Sequence, residues 1–412
     1  MLVLVINSGS SSVKFRLVEV VEGENQGFTT RSPRLSGAVK SIGSAATFEV
    51  TGQSPRSTTL KIRDHAEALR VVFESLSDSL EDIHAVGHRV VHGGDRYMEP
   101  TLINDQVEAG IDALADLAPL HNPACLAGIR GAKAMLSSAV PMVAVFDTAF
   151  HQTMPEVAKR YALPVELADR HRIRRYGFHG IAHASLAHGY AAIVGTPLKG
   201  LRLITLQLGN GCSIAAIDGG RSVETSMGFT PLEGLVMGTR SGDVDASIVS
   251  YLSEREKVEP GEVERWLNER SGLFGISGRS NDMKELLRAS EQEHDKRAEF
   301  AIELFCYRVR KYLGAYLAVL GGADAIVFGG GIGENAPEVR RRICLGMDWC
   351  GWRLDSNRNR AAVGLPHGAG TKISTDDSKV MVYVVAADEE TWIAKETARC
   401  VRSGNTIAPN IN

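Results

Sequence analysis

Short apolar runs that enter glycine- and serine-rich turns and leave through alternating stretches predict two strand–turn–strand units about half a chain length apart. In the first, Leu2-Val3-Leu4-Val5-Ile6 enters Asn7-Ser8-Gly9-Ser10-Ser11-Ser12-Val13-Lys14 and leaves through Phe15-Arg16-Leu17-Val18-Glu19-Val20. In the second, Leu203-Ile204-Thr205-Leu206 enters Gln207-Leu208-Gly209-Asn210-Gly211-Cys212-Ser213 and leaves through Ile214-Ala215-Ala216-Ile217-Asp218. A two-residue period reads as strand, and the Gly/Ser/Asn tips read as hairpin turns. Small residues at such tips expose backbone N–H groups that suit phosphate oxygens, so two of them suggest a nucleotide gripped between related halves.

The pattern continues with alternating pieces between residues 21 and 60, such as Thr47-Phe48-Glu49-Val50, which predict edge strands and loops. Leu69, Val72, Phe73 and Leu76 fall on one face of a predicted helix. Strands follow at 85–92 and 141–146; the second, nearly all apolar, is expected to lie centrally in a sheet and to deliver Asp147 at its C-terminal end. From about residue 200 the plan repeats. A long helix runs through Phe300, Leu304, Val309, Leu313, Tyr316 and Leu320 to Gly321-Gly322. Strand 325–328 then leads to a third glycine loop, Gly329-Gly330-Gly331-Ile332-Gly333-Glu334-Asn335, with Asn335 and Glu338 spaced as an N-cap and its capping-box partner. A strand at 380–385 and a helix from about 389 to 401 complete the reading, and the repeat alone sets a domain boundary near residue 150.

At 412 residues the chain is expected to form two domains, and 44% hydrophobic with 23% charged residues is a globular composition. A net charge of −3 gives no basic footprint for nucleic acid. The six cysteines form no C-x-x-C pair, which predicts free thiols in a reducing cytoplasm. The N-terminus lacks a basic n-region and its apolar run stops at Asn7, so neither a signal peptide nor a membrane span is expected.

Neither the Walker pattern nor G-x-S-x-G occurs. Arg89 in Gly87-His88-Arg89 and Arg240 in Gly238-Thr239-Arg240-Ser241-Gly242 sit beside glycines, where a planar guanidinium can hold a carboxylate or phosphate by two parallel bonds or remain a solvated charge. His179 and His183, like His88 and His92, have i,i+4 spacing but no accompanying H-E-x-x-H glutamate. His179 reads as a hydrogen-bonding pocket residue, and His121 as the same or a turn residue. Asp147, Asp282, Asp388, Glu389 and Glu390 offer hard oxygen ligands, of which Mg²⁺ needs only one or two.

Ordered motifs along nearly the whole chain resemble those of the acetate kinases, within the acetate and sugar kinase, Hsp70 and actin superfamily. They are Asn7 to Lys14, Gly87-His88-Arg89-Val90-Val91-His92-Gly93-Gly94, Leu120-His121-Asn122-Pro123, Phe146 to His151, Tyr176 to Gly180, Leu208 to Gly211, Thr225 to Asp245, Gly330 to Asn335 and Asp376 to Glu390. The resemblance implies an α/β chain of two ribonuclease-H-like (actin-like ATPase) domains with a cleft between them. Domain I would comprise residues 1–150 and a returning helix at 390–412; domain II would comprise 151–389.

It further implies reversible Mg-dependent phosphoryl transfer between ATP and acetate, giving ADP and acetyl phosphate, in a cytoplasmic homodimer. Asp147, His179 and Arg240 would be catalytic. Arg89, Val91, Leu120, Phe178 and Pro231 would bind acetate. ATP would meet Ser10, Ser12, Lys14, Gln207, Leu208, Gly209, Asn210, Gly211, Asp282, Met283, Lys284, Gly330, Gly331, Ile332, Gly333 and Glu334. Asn7 and Glu389 would place Mg²⁺, with Mn²⁺ as a substitute. The alternatives are a propionate or butyrate kinase of the same family and an actin- or Hsp70-like switch. The chain departs from the family pattern at Gln207 (usually His), Ile181-Ala182 (Thr-Ser), Asp388 (Asn) and Ala246 (Pro).

Overall fold

A computed structural model describes residues 1–9, 11–23, 28–52, 55–119 and 121–404. The chain divides into two compact units, one formed by residues 1–150 with the segment from Glu389 onward, the other by His151–Asp388.

In the first unit, β1 (Leu2–Ser8), β2 (Ser12–Glu22), β3 (Phe28–Thr30), β4 (Leu35–Lys40), β5 (Ala45–Gly52), β6 (Arg56–Lys61), β7 (Ala85–Val90), β8 (Thr101–Leu102) and β9 (Met142–Phe146) form one sheet. Its order is β6-β5-β4-β2-β1-β7-β9-β8, with β3 on β2. β1 is buried along its whole length, antiparallel to β2 and parallel to β7. This explains its continuous apolar run: a strand covered on both faces has no polar side. The helix His65–Ser75 buries Leu69, Val72 and Phe73 as its periodicity requires, and Asp64 caps it by accepting from Glu67 N–H at 2.9 Å. β9 is fully buried but not central; it is next to last, between β7 and the two-residue edge strand β8. Its apolar character reflects coverage of both faces rather than rank in the sheet.

The C-terminal helix, Glu389–Ser403, lies on this same sheet. It approaches so closely at Gly87 that a Cβ there would collide with the Thr397 hydroxyl and lie 2.8 Å from Ile393 Cγ2.

The second unit has six strands: β10 (Arg202–Leu208), β11 (Cys212–Asp218), β12 (Arg221–Thr225), β13 (Ala325–Gly329), β14 (Gly370–Lys372) and β15 (Met381–Val385), ordered β12-β11-β10-β13-β15-β14. β10 is antiparallel to β11 and parallel to β13, which is parallel to β15. This repeats the relation of β1 to β2, β7 and β9. The long helix is Lys296–Leu320, closed by Gly321 at φ 65°. Its buried stripe is Ala301, Ile302, Phe305, Cys306, Val309, Leu313 and Tyr316, whereas Phe300 is 57% exposed. The third glycine loop is itself helical, Gly330–Asn335, and Ala336, not Asn335, is the N-cap of the next helix, Pro337–Cys344. Glu338 pairs with Arg341 and Arg342 instead of closing a capping box.

Candidate active site

In the first unit the C-terminal ends of the parallel strands gather a charged cluster. Arg89, on β7, donates from Nε to Asp147 Oδ2 at 3.1 Å and from Nη2 to the same oxygen, while Nη1 reaches Asn7 Oδ1 at 3.2 Å. Asp147 follows β9 directly and is 1% exposed; its other oxygen, Oδ1, is buried without a partner. Arg89 is half-buried, and desolvation alone would lower a guanidinium pKa, yet the charges of Asp147 and Glu389 reverse this and raise it. Glu389, at the first turn of the C-terminal helix, is shifted upward by burial; Arg89 and Lys14 oppose that shift, whereas Asp147 and Glu390 add to it. Asn7 and Lys14 face each other in the β1–β2 register, with Lys14 exposed. The tip amide of Gly9 is already used, donating to Ser12 O at 2.8 Å. Val91 is buried two residues beyond Arg89. Ser10 and Leu120 lie outside the described residues.

The donor set here is hard oxygen only: an orphaned carboxylate oxygen on Asp147, the Glu389 carboxylate and the Asn7 amide oxygen. That set fits Mg²⁺. Among the described residues no three His, Cys, Asp or Glu side chains gather as a closed metal site. An ion that keeps waters and uses phosphate oxygens does not need one.

The second unit presents two groupings. The first surrounds Gly211, where a Cβ would stand 3.4 Å from His179 Nε2 and 3.7 Å from Arg240 Nη1. His179 has φ 58°, a left-handed backbone rare outside glycine, at the start of the helix Gly180–Val194. Its Nδ1 contacts Ser213 Oγ at 2.9 Å; that hydroxyl also contacts His183 Nε2 at 2.8 Å, and His183 Nδ1 meets Thr205 Oγ1 at 2.7 Å. Burial drives the His183 pKa well below its usual value, helped by His151 and His179, so it enters this chain as a neutral imidazole. Arg240 donates to Pro231 O at 3.0 Å and pairs with no carboxylate among the described residues. Burial lowers its pKa, and an anion supplied by a ligand would compensate it.

Residues to which the sequence assigned no role hold this grouping in place. Arg175 binds Glu233 at 2.6 Å and the carbonyls of Ser226 and Met227, and Tyr161 joins Glu233 to the Phe229 amide. Asp243 accepts from Gly234 N–H, Arg308 and Tyr312. Thus both ends of the Thr225–Asp245 run, which carries Pro231 and Arg240, are tied by charge.

The second grouping is a cavity of roughly 630 Å³. It is walled by Gly209 and Asn210 from the hairpin tip, Asp282, Met283 and Lys284 from the start of the helix Met283–Glu293, and Gly331 and Ile332 from the third loop. Asn281 joins them by donating to Asn210 Oδ1 at 3.0 Å. The helix extends the wall through Leu287, Arg288 and Glu291, at spacings of three, four and seven from Lys284, a periodicity that the sequence contained but the motif did not reach. Gly330, at φ 74°, packs where a Cβ would lie 2.6 Å from Leu208 O. Leu208 is buried beneath the loop, Gln207 Oε1 is buried without a partner, and Gly333 is buried behind the wall. Glu334 is a strut: its Oε1 accepts from Gly330 N–H at 2.9 Å and Ala387 N–H at 3.0 Å. Phe178 is buried, its carbonyl bonded to His151 Nε2 at 3.0 Å.

Residues 2–395 match the model of the Acetokinase family. An acetate kinase of Solibacter usitatus is 48% identical over 410 residues, covering 97% of this chain and 98% of that protein. The crystal structure of Porphyromonas gingivalis acetate kinase matches with a TM-score of 0.88 at 38% identity, over 97% of this chain and 99% of that one. A propionate kinase from Francisella tularensis subsp. tularensis SCHU S4 gives the same TM-score, identity and coverages. With two sheets built on one strand plan, the fold is the two-domain actin-like ATPase fold. The chain belongs to the acetokinase family.

Proposed function

We propose that the protein transfers a phosphoryl group reversibly between ATP and acetate, forming ADP and acetyl phosphate. The observation that carries this reading is the anchored Arg89 guanidinium beside a buried Asp147, matched in the other unit by Arg240, a half-buried arginine without a carboxylate of its own among the described residues. A nucleotide switch has no need of two such anion sites.

The acetate carboxylate is ionised at neutral pH, since carboxyl pKa values lie near ~4, so no strong base is required. One acetate oxygen forms a bond to the γ-phosphorus as the bond to the β,γ-bridging oxygen breaks and ADP leaves. The protein's task is to align two anions and neutralise their charge. Arg89 would receive the carboxylate, its Nε and Nη groups oriented by Asp147 and Asn7. His179 and Arg240 would donate to the transferring phosphoryl oxygens, with His179 oriented through Ser213 and His183. The cavity beside Asp282 would take the nucleoside, with its phosphates toward Gly209–Gly211 and Gly330–Gly331. Asn7, Asp147 and Glu389 would hold Mg²⁺, which when bound supplies Lewis-acid neutralisation of phosphate charge. Asp147 then acts by positioning rather than by removing a proton.

Two further features belong to this reading. All six cysteines are free, and no described helix is long and apolar enough to cross a membrane, which supports a cytoplasmic enzyme. The helix Ser247–Glu256 buries no residue and exposes Tyr251, which supports a homodimer; a monomeric mass in sedimentation would remove that point.

The test is hydroxamate formation from ATP, hydroxylamine and a panel of short carboxylates. Acetate should give product, and propionate less, because buried Val91 narrows the acyl site and one methylene is worth about 1–3 kcal/mol. Val91→Ala should raise the propionate-to-acetate ratio of kcat/KM about tenfold. No hydroxamate from any carboxylate would leave the switch reading standing; an unchanged ratio would remove Val91 from the acyl site.

A further inference from the structure

The third glycine loop is held from behind by an arginine buried with no counter-charge. Arg340, on the helix Pro337–Cys344, has 0% exposure and is among the largest fully buried side chains. Its Nη1 donates to Gly333 O at 2.7 Å and Glu334 O at 2.9 Å. Nη2 donates to Asn359 O at 2.7 Å and Ala362 O at 2.9 Å, and Nε to Asn359 Oδ1 at 2.8 Å. Every acceptor is neutral, and no carboxylate pairs with it among the described residues. Burial lowers its pKa to about 10, which leaves the group charged at neutral pH.

Burying a cation without a counter-charge is costly, and an apolar side chain of similar volume would fill the space more cheaply. What an apolar residue lacks is the fork. Arg340 joins the last turn of Gly330–Asn335 to the segment 359–362 in one rigid plane. Asn359 extends the brace by donating from Nδ2 to Pro337 O at 2.9 Å, and Asn335 accepts from Gly364 N–H at 3.0 Å. The same turn lines the cavity through Gly331, Ile332, Asn335 and Ala336, facing Asp282 and Lys284. Arg340 and Asn359 therefore hold that wall from outside the cavity, which neither of them lines.

We infer that Arg340, with Asn359, is a positioning residue for nucleotide, fixing the Gly330–Glu334 turn at the distance from Gly209–Asn210 that the phosphates require. This rests on the reading of the cavity as the nucleotide site. Neither residue contacts the acetate-side groups Arg89 and Asp147, so its loss should fall on one substrate alone.

Arg340→Lys keeps the charge and removes the fork; Asn359→Ala removes one acceptor of the clamp. For each, KM for MgATP and for acetate, kcat, thermal midpoint and calorimetric Kd for MgADP would be measured on the full chain. Arg340→Lys should raise MgATP KM and MgADP Kd by about tenfold or more, with acetate KM within about twofold. Asn359→Ala should move the same two quantities less, and the double variant by less than the product, because both act through one clamp. KM values that rise together for both substrates, or a lowered thermal midpoint with unchanged MgADP affinity, would make the arginine merely structural and overturn the inference. Should Arg340→Lys fail to fold, Asn359→Ala decides alone, an unchanged Kd overturning it. A parent protein that bound no MgADP would remove the nucleotide reading itself, whereas a parent that binds with variants that bind equally removes only the clamp.

Discussion

Arg89 and Asp147 were visible in the sequence as residue types at strand ends, but their relation was not. Fifty-eight positions separate them, and only the parallel pairing of β7 with β9 brings Nε within 3.1 Å of Oδ2. Once paired, Asp147 Oδ2 is taken up by two donors of the guanidinium. The remaining oxygen, Oδ1, is the group available to a cation. Asp147→Asn should therefore lower kcat by about 10²-fold and raise the Mg²⁺ concentration needed for half-maximal rate. The pH–rate profile should keep its shape. A variant with the parent's Mg²⁺ requirement that had lost an acidic limb from that profile would instead make Asp147 a proton acceptor. His179 gives the opposite lesson. Its motif was legible, whereas the Ser213–His183–Thr205 chain behind it was hidden, because hydroxyl partners carry no spacing signature.

Among elements, the hairpins were the most legible, because a two-residue period and a glycine tip are both local. β1–β2 and β10–β11 pair antiparallel across their tips, as strand–turn–strand units should. Legibility failed where burial depends on distant partners. β9 is apolar without being central, Phe300 is apolar yet exposed, and the third glycine loop coils into a helix that no local pattern announced. Seating of the C-terminal helix shows why such facts matter to the site. Gly87 lies two residues before Arg89 on β7 and gives Thr397 and Ile393 room to approach. Gly87→Ala should cost about 1–3 kcal/mol of stability and misalign Arg89. Gly87→Ala with Thr397→Ala relieves the closer clash and should recover part of the lost melting temperature and acetate KM. No recovery in the double variant would show that Ile393, not Thr397, sets the spacing.

For the molecule as a whole, the repeated plan means that each unit must bury its own polar residues, and both bury neutral imidazoles. Burial alone lowers His88 to about 3; His92 falls to about 4 by burial, against the charge of Asp95; His183 falls well below its usual value. In the unfolded chain a histidine titrates near about 6.5. Between that value and the depressed folded values, the unfolded chain holds more protons, so stability rises with pH across the window. The contribution is complete above about pH 7 and falls toward pH 4 by up to about 1.4 kcal/mol per pH unit for each histidine. Half-buried Glu224 and buried Glu396, whose pKa values are raised chiefly by desolvation, act with the opposite sign, so the total slope mixes both. A difference between two proteins isolates one group. His88 Nε2 is buried without a partner, so His88→Leu removes a titration without breaking a bond at that nitrogen. At pH 5 the variant should gain about 2 kcal/mol over the parent, relative to their difference at pH 7.5. Urea unfolding at the two pH values checks this, with the slope of free energy against pH lowered by one proton. Parallel pH dependences for parent and variant would mean that His88 is already protonated in the folded chain, against the burial that surrounds it.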